Sequence, residues 1–535
     1  MDTIKTFCES KNFFGLSKSL DSKKVTSKRA RNRLLRIKDE LGFEPGAWSE
    51  FLEYCFKTDM DELEVHNEVY FQYLLLNTEV RFAERKDNDV IEIANIDLSK
   101  LVDASFSGNA TSIVKSILYT FIRNGKVRFF SPYSEELCNA ITNLDEDSFL
   151  FRDSNGNEFI VSFFGPANFA NYDLQIYLLS ENVVYFYSDR SLFQEPAFRT
   201  DLIFSRLSKV LKRHRKLKAL SSGKGLTVTN KVFPHIGHHL WNNMSVWGVL
   251  VKQGLLNRKC LYEVRAGVYG NPLESALRDR DNLEFIEYVN HDNFDFDSSL
   301  YISISEDFIT KDLASSLVKN CVKVSKDSLS KEYEIIAGKL NEDKSQLVCI
   351  SLRFGNREWE EQEEGLIHLM DKLISNFSNL KFLIDGMNRS EFSNSSSHAN
   401  LEVKKELGFV HKAKMKFGEN KVVSLINEDL RLVISILDKC QVFITPWGAG
   451  LAKYKWLLNK KSIIYTSDHI FNTSPDLRIY SSPIYREDIV DDVFIVGTSV
   501  DSKSTLTQRG FRGNFSLSWY ELFLACEKEL LNLKD

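Results

Sequence analysis

Residues 439–458 read KCQVFITPWGAGLAKYKWLL. The apolar run from Gln441 to Thr445 predicts a buried strand, and Ala452 to Leu458 have helical spacing, so TPWGAGL at 445–451 marks a strand handing over to a helix. Gly448 and Gly450 remove the side chains that would hold a ligand away from the backbone, and amides at a helix start can meet an anion. Such a turn suits a phosphate. Two glycines at a strand-to-helix turn also serve packing alone, so the neighbouring segments decide between the readings.

Outward from this turn, short apolar strands alternate with amphipathic helices. The order is strand Leu347 to Leu352, helix Glu361 to Phe377, strand Leu380 to Asp385, helix Glu428 to Lys439, then the strand and helix around the turn, and strand Ser462 to Thr466. An earlier series has strand Leu226 to Phe233, helix His238 to Gly254, strands Cys260 to Val264, Leu283 to Val289 and Leu300 to Ile304, and helices Phe308 to Val318 and Lys331 to Leu340. Alternation of this kind implies parallel sheets with right-handed crossovers. The fold expected is α/β, with two Rossmann-like domains at 206–340 and 341–515 facing a cleft. A C-terminal helix at 516–535 begins on a Ser-x-x-Glu capping box, Ser518 and Glu521.

Upstream the pattern differs. Residues 1–75 read as a helical region, and 76–205 as an α+β accessory module. Within the latter, Phe149 to Phe164 alternate around the turn pair Asn155-Gly156, and Leu174 to Tyr187 alternate around Ser180-Glu181-Asn182. The basic segment 206–224 (RLSKVLKRHRKLKALSSGK) reads as a solvated helix entering a linker, with a grip on an anionic acceptor or peripheral membrane contact as the other readings.

The chain of 535 residues is long enough for several cores, and 43% hydrophobic with 27% charged residues describes an ordinary globular protein. With 69 basic and 74 acidic side chains the net charge is −5, so no global field draws in nucleic acid. No basic-then-apolar leader opens the sequence, and no stretch reaches the roughly 18 apolar residues that cross a bilayer. The eight cysteines are scattered without a CxxC pair, as expected of reduced core residues in a cytoplasmic protein. The oligomeric state is not legible.

Ligands of parallel sheets bind beyond the carboxyl ends of the strands. In the second series these ends carry Arg353, Asn356 and Arg357, then Asp385, Gly386 and Arg389, then Trp447, Gly448, Ala449 and Gly450. Guanidinium groups after two strands and a glycine turn after a third can converge on one diphosphate, because a planar fork donates paired hydrogen bonds to phosphate oxygens. Glu428 is a ribose candidate, although with Asp429 it also suits the start of the following helix.

In the first series, residues 233–243 read FPHIGHHLWNN, the densest polar cluster in the chain. Three histidines, His235, His238 and His239, flank Gly237, and an imidazole there can take a proton from an acceptor hydroxyl. His235 and His239 are four apart, but neither an HExxH motif nor a cysteine pair completes a zinc site, so no metal or cofactor is expected. Trp241 and Asn242 either fix the helix start or face an acceptor sugar.

From LRFGN at 352–356 through FLIDG at 382–386 to FITPWGAGL at 443–451, the chain resembles the C-terminal halves of GT-B glycosyltransferases. It is most similar to the plant xylan xylosyl- and arabinosyltransferase family, whose turn reads HGAGL, and more loosely similar to fucosyltransferases with an LRxGD-like turn. Trp447 stands where that family has histidine, and Asn356 where the arginine turn has an acid. The resemblance implies that Gly448, Ala449 and Gly450 lie against a nucleotide diphosphate, that Arg353 contacts its phosphates, and that the HIGHHLWN loop faces the acceptor. It further implies a terminal helix crossing back onto the N-terminal half, and inversion at the sugar carbon. The expected activity is metal-independent transfer of a sugar from a nucleotide-sugar to a glycan or glycolipid hydroxyl in bacterial surface polysaccharide synthesis. His238 is the first choice as base, with His235 and His239 next. A polysaccharide pyruvyl transferase, and a non-catalytic carbohydrate- or partner-binding protein on a degenerate scaffold, are the alternatives.

Overall fold

A computed structural model describes residues 79–82, 92–93, 96–101, 110–145, 147–164, 173–187, 207, 209–211, 213–214, 217, 225–229, 237, 239–255, 259–263, 283–286, 299–304, 306–340, 345–355, 357–389, 397–474, 477, 479–500 and 513–533. The helical region expected at 1–75, together with His235, His238 and Asn356, lies outside the described residues. The chain forms two compact units. One comprises Met1–Pro166, Asn171–Val228 and Asp295–Ser303, and the other Ala167–Ala170, Thr229–Phe294 and Ile304–Asp535. The second unit runs through the expected 340/341 boundary.

In the first unit, alternating apolar residues build an antiparallel meander. Its strands are β1 (Glu79–Phe82), β2 (Arg128–Phe130), β3 (Leu137–Asp145), β4 (Ser148–Arg152), β5 (Glu158–Phe164), β6 (Asp173–Leu178) and β7 (Val183–Tyr187), in the order β1-β7-β6-β5-β4-β3-β2 with β1 parallel to β7. The β4–β5 turn is the one read around Asn155-Gly156. The Asp153 carboxylate accepts the Asn155 and Asn157 amides, and Gly156 sits at φ 86°, where a side chain is disfavoured. One face carries Phe151 stacked on Phe159, and Phe163 set edge-on to Phe121 of helix α1 (Ala110–Asn124). On the other face Leu150, Ile160 and Tyr177 pack with Leu207, Val210 and Leu211. The described part of the basic segment 206–224 therefore buries an apolar side in this core. Arg213 donates to the Leu144 carbonyl at 2.8 Å, and His214 lies 3.1 Å from Glu158. The strand expected at Leu300 to Ile304 also belongs to this unit, where the Asn143 amide exchanges two 2.8 Å hydrogen bonds with the Tyr301 backbone.

The second unit is built on a seven-stranded sheet. Its strands are β10 (Gln346–Ser351), β11 (Leu380–Asp385), β12 (Val422–Ser424), β13 (Val442–Pro446), β14 (Ser462–Ser467), β15 (Val493–Ser499) and β16 (Phe515–Ser516), after a parallel pair β8 (Lys259–Glu263) and β9 (Leu283–Ile286). The order is β12-β11-β10-β13-β14-β15-β16. All pairs are parallel except the last. Counted from β10, this is the doubly wound order 3-2-1-4-5-6 with an antiparallel edge strand. The central strands are largely apolar because helices cover both faces.

Preceding the sheet are α2 (Ser245–Lys252), α3 (Lys311–Asp327) and α4 (Ser330–Leu340); between and after its strands come α5 (Gln362–Asn376), α6 (Ser397–Phe417), α7 (Leu430–Leu437), α8 (Asp468–Thr473) and α9 (Trp519–Asn532). α3 and α4 pack on α7, whereas α5, α6 and α9 share the opposite core. Helix α6 and strands β12, β15 and β16 add to the expected elements. In α6, lysines on the outer turns and two inward acids blur the apolar period. One further expectation is corrected: Ser518 caps α9 by position, but its side chain makes no capping bond. Helix α9 places Leu522, Phe523, Cys526 and Leu530 in the core shared with α5 and β10. No described helix is long and apolar enough to cross a membrane.

Candidate functional site

In a doubly wound sheet the crevice opens where the strand order reverses, beyond the carboxyl ends of strands 1 and 4 of the order. Here those are β10 and β13, which pair at Val348–Val442 and Ile350–Ile444. Their continuations are Leu352 to Arg357 and Trp447 to Gly450, two of the stretches singled out in the sequence. The structure brings them together.

Arg353 is fixed first through its backbone. Gln362, buried at the start of α5, accepts the Arg353 amide at 3.1 Å and donates to its carbonyl at 2.9 Å, while the Tyr465 hydroxyl donates to Gln362 at 3.2 Å. The Arg353 side chain then lies against Gly448. A Cβ there would meet Nη1, the movable end of the guanidinium, and Gly448 has φ 155°, so the backbone conformation favours glycine. Burial pushes the Arg353 guanidinium below its ordinary value, opposed by Tyr465, Glu402 and Tyr480. Arg357 arrives from the same loop with a left-handed backbone, φ 53°. Its guanidinium covers the Trp447 ring at 5.1 Å, and its Nη2 is 3.9 Å from the Cβ position of Gly448. Two guanidinium groups thus converge on one glycine turn.

The turn is the strand-to-helix handover expected, with a wider helix after it. The amides of Leu451, Ala452 and Lys453 bond three residues back, to Gly448, Ala449 and Gly450, and the chain then widens into a π-helical turn over Lys453–Leu457. Two consecutive side chains, Lys453 and Tyr454, both reach the Asp385 carboxylate, which the wider turn accommodates. Among the described residues the Gly448, Ala449 and Gly450 amides make no hydrogen bond within the chain, so they are the ones left to meet an anion. Gly450 has open space where its Cβ would be.

Asp385 ends β11, one strand away, and Gly386 follows it. Asp385 is fully buried and engaged within the fold, bound by Lys453 at 2.5 Å, by Tyr454 and by Asn388 at 2.9 Å. Lys453 also reaches Asn388 Oδ1 at 2.6 Å. Gly386 leaves room for Glu406 of α6, whose carboxylate accepts the Met387 amide at 2.9 Å. Burial raises the Glu406 carboxyl to about 7, with the Met387 amide opposing. Arg389 is exposed and runs beside the next connection, its amide bonding to the Glu428 carbonyl at 2.9 Å. Burial raises the Glu428 carboxyl, while Arg389 opposes the shift. Among the described residues no contact joins Arg389 to Arg353 or Gly448. Asp429, not Glu428, caps α7, accepting the Arg431 amide at 2.8 Å.

Of the histidine segment, Gly237 and His239 are buried, and His239–Met244 forms a π-helical turn. The Trp241 indole donates to the Asp307 carbonyl at 2.7 Å and packs on Trp456 at 5.4 Å, directly after the glycine turn. Asn242 donates to the Glu306 carbonyl at 3.3 Å. Both side chains are buried. Gln362, Lys453 and Glu406 carry no sequence signal of their roles, because no local pattern distinguishes a buried polar anchor from a solvated helix residue. Among the described residues no group of three His, Cys, Asp or Glu side chains could hold a metal ion.

The sequence matches no protein-family model and no curated protein. Among solved structures, the chain is similar to a glycosyl transferase family 9 protein from Veillonella parvula. The match has 9% identity and a TM-score of 0.33, covering 57% of this chain and 97% of that one. It is also similar to the alpha,alpha-trehalose 6-phosphate synthase of Burkholderia multivorans at 9% identity and a TM-score of 0.23, covering 54% and 72%. A third is the E. coli trehalose-6-phosphate structure bound with UDP-2-fluoro glucose, at 11% identity and a TM-score of 0.22, covering 58% and 74%. Overlaps this slight carry no weight for activity, which is argued from the site alone.

Proposed function

We propose that the chain is a GT-B glycosyltransferase that moves a sugar from a nucleotide-sugar to a hydroxyl of a glycan or glycolipid. Its two Rossmann-like halves, 206–340 and 341–515, would face a cleft and act at the cytoplasmic side in bacterial surface polysaccharide synthesis. The observation that supports this best is the pair Arg353 and Arg357 beside Gly448 at the switch point of a 3-2-1-4-5-6 sheet. Two cations and three turn amides suit a leaving diphosphate, whose charge grows as the bond to the sugar breaks. The acceptor oxygen forms the new bond to the anomeric carbon, the old carbon–oxygen bond leaves with its electron pair on the diphosphate, and the hydroxyl proton passes to a base, for which His238 is assigned. A thermal-shift screen against UDP, GDP, CMP and dTDP tests the donor side. A ligand at 100 times its dissociation constant stabilises by about 2.7 kcal/mol, and silence from all four would overturn the reading.

A further inference from the structure

Helix α6 carries its charges in an unusual arrangement. At 3.6 residues per turn, its acids Glu402 and Glu406 fall on the side of Phe409 and Ala413, toward the core. Glu406 is buried, and Glu402 Oε1 is 2.9 Å from the Cβ position of Gly355. The solvent side, an arc of roughly 200°, has no acid. Toward α5, Lys412 pairs with Glu363 and Lys416 with Asp371, and Lys405 covers the Phe354 ring, so these three are engaged within the fold. The rest of the arc holds Leu401, Lys404, Leu407, His411, Lys414 and Met415. Leu401 is 56%, Leu407 43% and Met415 77% exposed. Among the described residues Lys404 and Lys414 make no ion pair.

A soluble polyanion would meet the lysines but leave Leu407 and Met415 in water. An acidic bilayer satisfies both, since lysines extend to anionic headgroups while apolar ends enter the acyl boundary. We propose that the outer face of α6 docks on an anionic lipid bilayer. The inference is independent of the activity assigned above. The inner acid Glu406 of the same helix holds the loop after Gly386 through the Met387 amide.

Sedimentation of the full chain with vesicles tests it, using phosphatidylcholine alone against phosphatidylcholine mixed with phosphatidylglycerol. The chain should pellet with the mixed vesicles and be released by salt. Lys404→Gln and Lys414→Gln should weaken binding about five-fold per lysine. Leu407→Ser with Met415→Ser should weaken it further at unchanged charge. All four positions face solvent, so the thermal midpoints should hold. If a serine variant unfolds early, Leu407→Gln and Met415→Gln repeat the measurement. Equal sedimentation with both vesicle types overturns the proposal, as does wild-type binding by the lysine variants. Binding that depends on the lysines but not on Leu407 and Met415 also overturns it, assigning the face to a soluble polyanion.

Discussion

Arg353 occupies the space that a Cβ on Gly448 would need, so its guanidinium rests directly on the backbone of the turn. Gly448→Ala should therefore act twice, straining a backbone at φ 155° and displacing Arg353. Gly450→Ala meets open space and should leave the ligand-free chain as stable as before. Thermal midpoints of the two variants without ligand compare them directly. Equal midpoints would mean that Arg353 moves aside without cost.

Arg353→Ala should weaken nucleoside diphosphate binding more than it disturbs folding. A hydrogen bond to a charged group contributes about 1.5 to 3 kcal/mol, roughly ten- to a hundred-fold in affinity. Calorimetric titration reads the loss. Unchanged affinity would move the phosphate site to another pair of strand ends, with Arg389 the next residue to test.

Four strands of the central sheet, β10, β11, β13 and β14, were legible in the sequence because strands covered on both faces read as largely apolar runs. Leu380–Asp385 was placed to the residue, and the other three lie within one residue of their expected ends. The hairpins of the first unit were legible through Asn155-Gly156 and Asn182, where the backbone adopts positive φ at Gly156 and Asn182. The convergence of Arg353 with Gly448 followed from the rule about strand ends. Asp385 did not follow. It ends a strand at the right edge, yet its carboxylate turns into the core, where Lys453 meets it from 68 residues away in sequence. A burial decided by so distant a partner leaves no local trace.

Glu406 predicts a pH dependence. Its carboxyl in the folded chain titrates at about 7 against an ordinary 4.5, because burial disfavours the charge. Asp385 adds to the shift, Glu402 does so more weakly, and Lys453 opposes it. The folded state thus holds the proton more tightly than the unfolded one. The stabilisation is complete below about pH 4.5, declines as pH rises and is gone above about 7. Glu406→Gln should flatten that part of the profile, as chemical denaturation across the window would reveal. A variant with the wild-type slope would place the titration elsewhere.

The pair Lys453 and Asp385 should matter more to stability than any surface ion pair in the chain. Their side chains are 5% and 0% exposed, their charges are 2.5 Å apart, and Tyr454 and Asn388 complete the shell around the carboxylate. Removing one partner of a buried pair leaves the other charge uncompensated and typically costs about 3 to 5 kcal/mol. Lys453→Met should therefore lower stability by that order. Adding Asp385→Asn should restore part of the loss, because the amide keeps one oxygen to accept from Tyr454 and needs no counter-charge. The double variant separates two roles for Lys453. If it proves no more stable than Lys453→Met alone, the lysine acts through the space its stem fills in the π-helical turn, and the ion pair contributes nothing measurable. If it recovers, the turn that carries Gly448 is held to the end of β11 by charge. Nucleoside diphosphate affinity should then fall in Lys453→Met and recover in step with stability.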